Sequence, residues 1–148
     1  MANERKYKTN LIKIKEVFER YTDSEHALSI AQIGQMAVDV GDEPINRKTL
    51  YRSFDELRDY GIDIKCLQKG RTYLYYVDYN YIKTEELVFL IEQTEEKFGY
   101  AESLNLKKKL FSLVSIYQEK EVNRMLRYNK KIRKLQALEK VQENEEQP

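Results

Sequence analysis

The sequence predicts a mainly α fold with one small β-hairpin, and three observations predict it. Apolar residues recur at helical spacing along most of the chain; the period switches to two only after residue 61; and five Gly and two Pro in 148 residues leave room for few tight turns. With 41% hydrophobic and 34% charged residues, the chain is too apolar to stay disordered and too charged to span a bilayer. The length suits one domain, or a small domain with an appendage.

Leu11, Ile14, Val17, Phe18 and Tyr21 fall on one stripe, with Lys13, Lys15, Glu16 and Glu19 opposite, which makes the first helix. Polar residues 22–26 break it, and His26 reads as a loop residue. Ser29, followed three positions later by Gln32, forms a capping box, and Leu28 with Ile33 a hydrophobic staple. The second helix then runs about three turns on Ile30, Ile33, Met36, Ala37 and Val40 until Gly41 and Pro44 stop it. Asn46 caps a third helix that starts at Arg47, buries Leu50, Phe54 and Leu57, and ends at Gly61.

Ile62, Ile64 and Cys66 alternate with polar residues, Lys69-Gly70-Arg71 makes a turn, and residues 72–77 are rich in β-branched and aromatic side chains. These are the two strands of an antiparallel hairpin with a basic tip, and Cys66 reads as a small buried hydrophobe. Helix, helix, helix, hairpin is the order of a winged helix-turn-helix. Thr84 is the expected cap of a fourth helix burying Leu87, Leu90, Ile91 and Phe98, and Leu106, Leu110, Leu113, Val114 and Tyr117 mark a fifth. From Glu119, Met125, Tyr128, Ile132 and Leu135 alternate in threes and fours, the mark of a short coiled-coil seam, and the end frays from Gln142. The expected organisation is a winged helix-turn-helix over residues 1–82 and a C-terminal helical dimerisation region over 83–148, in which Leu106, Leu110, Leu113, Met125, Ile132 and Leu135 give more apolar stripe than one small domain can hide.

Enzymatic signatures are absent: no Gly-rich phosphate loop, no nucleophile elbow, no H-E-x-x-H. One His and one Cys make no metal set, so neither a metal nor a cofactor is expected. No signal peptide or membrane span is read, and a cytoplasmic protein without membrane partners is expected. Paired acids such as Glu85-Glu86 read as solvated helix surface. Net charge is only +1, so attraction to a polyanion must come from local clusters. One such cluster opens the third helix. Arg47, Lys48, Thr49, Tyr51 and Arg52 point outward from a helix N-terminus that is itself partly positive, the chemistry of phosphate and base-edge contact. Ser29 and Gln32 at the second helix, and Lys69 and Arg71 at the hairpin tip, complete the expected double-stranded DNA contacts. A second basic run, Arg124, Arg127, Lys130, Lys131, Arg133 and Lys134, reads as the solvated side of a dimer helix.

Residues from about Leu11 to Leu126 resemble the N-terminal half of the WYL-domain transcriptional regulators of bacteria. The resemblance is carried by residues 22–29 and, more specifically, by Arg47-Lys48-Thr49-Leu50-Tyr51-Arg52-Ser53-Phe54-Asp55-Glu56-Leu57 with Tyr60-Gly61-Ile62-Asp63-Ile64. It implies a winged helix whose third helix reads DNA, usually as a dimer, with Arg47, Lys48, Thr49, Tyr51 and Arg52 in the recognition helix. Ser53 stands where that family has aspartate, and the wing is shorter. No Trp-Tyr-Leu triplet follows, so ligand sensing by a WYL domain is not expected. The resulting expectation is a sequence-specific regulator, repressor in type, acting as a homodimer. The rival is a protein from a phage or mobile element that uses the same scaffold to bind and inhibit a protein target.

Overall fold

The computed structural model describes residues 2–79 and 81–146. Its elements are α1 (Ala2–Tyr21), β1 (Leu28–Ser29), α2 (Ile30–Met36), α3 (Arg47–Asp59), β2 (Lys65–Lys69), β3 (Thr72–Tyr76), α4 (Thr84–Phe98), α5 (Tyr100–Phe111) and α6 (Ile116–Glu146). The fold is mainly α with one small antiparallel sheet, as the sequence predicts, and the sheet order is β1-β3-β2. The chain divides into two compact units, Met1–Asn80 and Tyr81–Pro148.

In the N-terminal unit the first stripe and the third converge. Ile14, Val17 and Phe18 of α1 pack with Leu50, Phe54 and Leu57 of α3, joined by Ile33, Ala37 and Tyr75. Phe54 sits at the centre, its ring 5.3 Å from Phe18 in an edge-to-face contact and 5.1 Å from Tyr75. Thr22 is buried without being idle: its hydroxyl donates to the Phe18 carbonyl at 2.7 Å and accepts from the Val77 N–H at 3.1 Å. That side chain fastens the end of α1 to the residue that follows β3.

The second helix is shorter than its stripe predicts. It ends at Met36 with Ala37 as its cap, and Met36 and Val40 are exposed. The cause is a close backbone approach: the Ile45 N–H donates to the Gly34 carbonyl at 3.0 Å, so the chain must reverse early to bring Ile45 back. A Cβ on Gly34 would lie 2.6 Å from the Ile45 carbonyl oxygen, which only glycine tolerates.

The sheet holds a strand that periodicity could not show. Leu28 and Ser29 pair with Tyr75 and Leu74, and a two-residue strand is too short to display a period. The expected burial of Cys66 is wrong. β2 is an edge strand exposed along its length, and the core beneath the sheet ends at Ile64 and Tyr75, so Cys66 lies in solvent.

In the C-terminal unit, α4 packs against both α5 and α6. Its core is Leu87, Val88, Ile91, Val114 and Val122. The buried stripe of α4 is rotated from the expected one: Val88 is inside, whereas Leu90 and Phe98 are exposed. Lys83 occupies the cap position with no side-chain hydrogen bond, and Thr84 is the first helical residue. α5 stops at Phe111, so Leu113 and Val114 lie in the connection and Tyr117 belongs to α6. α6 starts before Glu119 and stays helical through Gln142 to Glu146, where fraying was expected; the last two residues lie outside those described. Among the described residues, no helix is long and apolar enough to cross a membrane.

Candidate functional site

The first turn of α3 is built by Asn46. Its backbone is extended, and its side-chain oxygen accepts from the Thr49 N–H at 2.8 Å. The cap frees the chain to enter the helix sharply at Arg47, and it leaves the N–H groups of Arg47 and Lys48 without an acceptor inside the helix. At the other end, Gly61 and Ile62 donate to the carbonyls of Arg58 and Leu57, both at 3.0 Å, closing the last turn. The Arg58 guanidinium then reaches past the helix end and donates twice to the Ile64 carbonyl, at 3.3 and 3.1 Å. Helix and hairpin are thereby joined through a polar clamp as well as through the core.

Burial of Leu50, Ser53, Phe54 and Leu57 turns the opposite face of α3 outward. Lys48, Tyr51 and Arg52 are exposed there, and Asp55 follows them one turn on. The helix is therefore electrostatically graded, cationic in its first turns and net acidic over residues 55–59, where Asp55, Glu56 and Asp59 stand against Arg58. Arg47 and Tyr51 act as a pair: the guanidinium Nε donates to the phenol oxygen at 3.1 Å and lies 5.4 Å from the ring centre. That hydrogen bond, with the neighbouring Tyr75 hydroxyl, lowers the pKa of Tyr51. Tyr75 moves the other way. Burial first, and the Tyr51 oxygen second, push it up to about 12.

Arg52 leans toward α1, its guanidinium 5.0 Å from the Tyr7 ring and 3.6 Å from the Glu56 carboxylate. Tyr7 is held beneath it with an enclosed hydroxyl that has no hydrogen-bond partner of ordinary geometry, and burial with Glu56 raises its pKa. Thr49 is half-buried and its carbonyl accepts from Ser53 at 2.8 Å. Ser53 itself is wholly buried. A serine can satisfy itself on the preceding turn at that position, whereas an aspartate would need a buried partner.

No protein-family model, curated protein or solved structure matches this chain. Ser29 and Gln32 form the expected reciprocal cap: Ser29 Oγ accepts from the Gln32 N–H at 3.2 Å, and Gln32 Oε1 accepts from the Ser29 N–H at 2.9 Å. Their oxygens serve α2 first, and Gln32 keeps an exposed amide. Lys69 and Arg71 are exposed at the hairpin tip, where Lys69 pairs with Thr72 and Gly70-Arg71 forms a two-residue loop. Gly70 has φ +64° and Arg71 a negative φ, the pattern of a type II′ turn. Among the described residues, no group of three His, Cys, Asp or Glu could hold a metal.

Two residues of the site went unread. Tyr7 and Glu56 bracket Arg52, and the signal for Tyr7 was present: it lies four positions before Leu11 and continues the α1 stripe upstream. The six expected dimerisation residues are scattered. Leu110 and Met125 pack against the C-terminal unit's own core, Leu106 and Ile132 are half-buried, and Leu113 and Leu135 are exposed.

Proposed function

We propose that the N-terminal unit is a winged helix that reads double-stranded DNA with α3, and that the protein is a sequence-specific transcriptional regulator of the repressor type. The observation that carries this reading is the capped first turn of α3, which presents Arg47, Lys48, Tyr51 and Arg52 outward around open helical N–H groups. The element order of the unit and the basic hairpin tip support it, since a wing at Lys69 and Arg71 would meet phosphates beside the groove entered by α3. Gradation along α3 supports it too, because its cations fill the first turns, the end that would enter the groove, and the acids begin only at Asp55. A resemblance to the DNA-reading half of WYL-domain regulators points the same way.

Action as a homodimer is part of the proposal, since two copies on a two-fold axis double the bases read. Exposed Tyr128, Leu135 and Leu138 on α6 are the surface that supports pairing, in place of the inward Leu110 and Met125.

The test is selection of bound duplexes from a random library, followed by fluorescence anisotropy on the winner. Expected is an affinity that falls steeply with salt, and an Arg52→Ala loss of about 1–3 kcal/mol on the selected site but less on random DNA. Failure to bind any duplex at low salt would sink the reading and leave the protein-inhibitor alternative.

A further inference from the structure

The second basic run does not behave as one surface. Its residues divide on α6: Arg127, Lys130 and Arg133 line a cleft of about 460 Å³ formed with α4 and α5, whereas Arg124, Lys131 and Lys134 do not. Arg124 is occupied by Glu121 one turn before it. The cleft falls within the size range of small-molecule sites. Part of its lining is apolar, contributed by Ile91, Leu104 and Leu126, one from each helix.

The charges in this cleft are unbalanced. Lys107, Arg127, Lys130 and Arg133 stand against Glu92 and Glu95. Glu92 is already engaged, accepting from Asn129 Nδ2 at 2.7 Å and pairing with Arg133 at 3.3 Å. Arg127, Lys130 and Lys107, whose ammonium also lies 5.5 Å from the centre of the Phe111 ring, are thus left beside the single carboxylate of Glu95. An amphipathic helix ordinarily turns apolar residues toward its neighbours. Here Arg127 and Lys130, neighbours at i and i+3 on α6, line the cleft while staying exposed, so that their like charges repel one another across one turn of helix. An anion between them would relieve that repulsion, and the apolar patch beside them would take a carbon skeleton.

We propose that this cleft binds a small organic anion, a carboxylate or phosphate monoester, with its head held by Lys107, Arg127 and Lys130 and its apolar body on Ile91, Leu104 and Leu126. The site lies within the C-terminal unit and does not depend on what the N-terminal unit binds.

The experiment is a nuclear magnetic resonance titration of the full chain with benzoate, phenyl phosphate, inorganic phosphate and benzyl alcohol. Expected is saturable movement of cleft resonances with benzoate or phenyl phosphate, with inorganic phosphate and benzyl alcohol each at least about tenfold weaker. Preference for phenyl phosphate over benzoate identifies the head as a phosphate, and the reverse as a carboxylate. Combined Arg127→Ala and Lys130→Ala should weaken the better probe at least about tenfold, and combined Lys131→Ala and Lys134→Ala should leave it within about twofold. Glu95→Gln, which keeps the shape and removes the opposing charge, should tighten it about two- to fivefold. No saturable movement by about 10 mM, or equal loss in both double variants, overturns the site. So does displacement of the probe by duplex DNA with equal sensitivity in both double variants, which would make the run a diffuse nucleic-acid surface.

Discussion

The two units spend their apolar residues differently. The N-terminal unit gathers aromatic and aliphatic side chains from three helices and a sheet around Phe54, and its outward residues on α3 are polar or amphipathic. The C-terminal unit has a small aliphatic core and leaves Phe89, Phe98, Leu113 and Leu138 each more than half exposed. The N-terminal unit leaves Ile12, Val40 and Tyr60 in water as well, so the contrast lies in the cores: one closes around the rings of Phe18, Phe54 and Tyr75, the other is a small aliphatic cluster. The large side chains that the C-terminal unit leaves in water are surface suited to apolar contact.

The sharpest way to break this contrast is to empty each side of it. Phe54→Ala should cost the N-terminal unit about 3–5 kcal/mol, read as a lowered urea midpoint, because the ring is closed in by Phe18 and Tyr75 and the space cannot collapse. A loss under about 1 kcal/mol would show that the rings around Phe54 close in on the space it leaves.

Next comes the alkaline limb. Tyr75 holds its proton to about 12 in the folded chain, against an ordinary value near 10. Between those values the folded state binds more protons than the unfolded one, so stability is full below pH 10 and falls as pH rises toward 12. The decline should be readable in denaturant titrations across that window, opposed in part by Tyr51, whose lowered pKa works the other way, and should shrink in Tyr75→Phe.

Asn46→Ala should cost about 1 kcal/mol, since the Thr49 N–H loses its acceptor. Its effect on duplex affinity should exceed that figure if the first turn is the reading surface, and anisotropy on a selected site measures it. The smallest effect belongs to the exposed set: Phe98→Ala should change stability by no more than about 0.5 kcal/mol. A larger loss that grows with protein concentration would place Phe98 in a self-association surface.

What the sequence disclosed follows the same division. Asn46, Gly61 and the capping box of Ser29 and Gln32 act within a few residues of themselves, so their chemistry is visible in the chain and the structure repeats it. The stripe of α3 was equally plain, because Leu50, Phe54 and Leu57 face a core that closes around them. Legibility failed where the outcome rested on a distant partner. α2 lost its final turn to a contact between Gly34 and Ile45, β1 exists only because Tyr75 and Leu74 lie alongside it, and Cys66 surfaced because nothing covers the sheet edge. The α4 stripe shifted from Leu90 to Val88 for a related reason: a helix apolar on several sides does not declare which one its neighbours will take. At the candidate site, Arg47, Lys48 and Tyr51 stand out in the sequence as charge and hydroxyl at a helix start. Placing Arg52 against Tyr7 required knowing how α1 lies across α3.

The clamp from Arg58 to the Ile64 carbonyl has a thermodynamic corollary. With the end of α3 and the start of β2 tied by two hydrogen bonds and a shared core, a helix entering a groove brings its hairpin already aligned. Association with a duplex would then order little of the protein, and its heat-capacity change should reflect the contact surface alone, without the larger negative component that accompanies folding on binding. Differences in affinity between related duplexes should accordingly emerge as differences in residence time while the rate of arrival stays nearly constant.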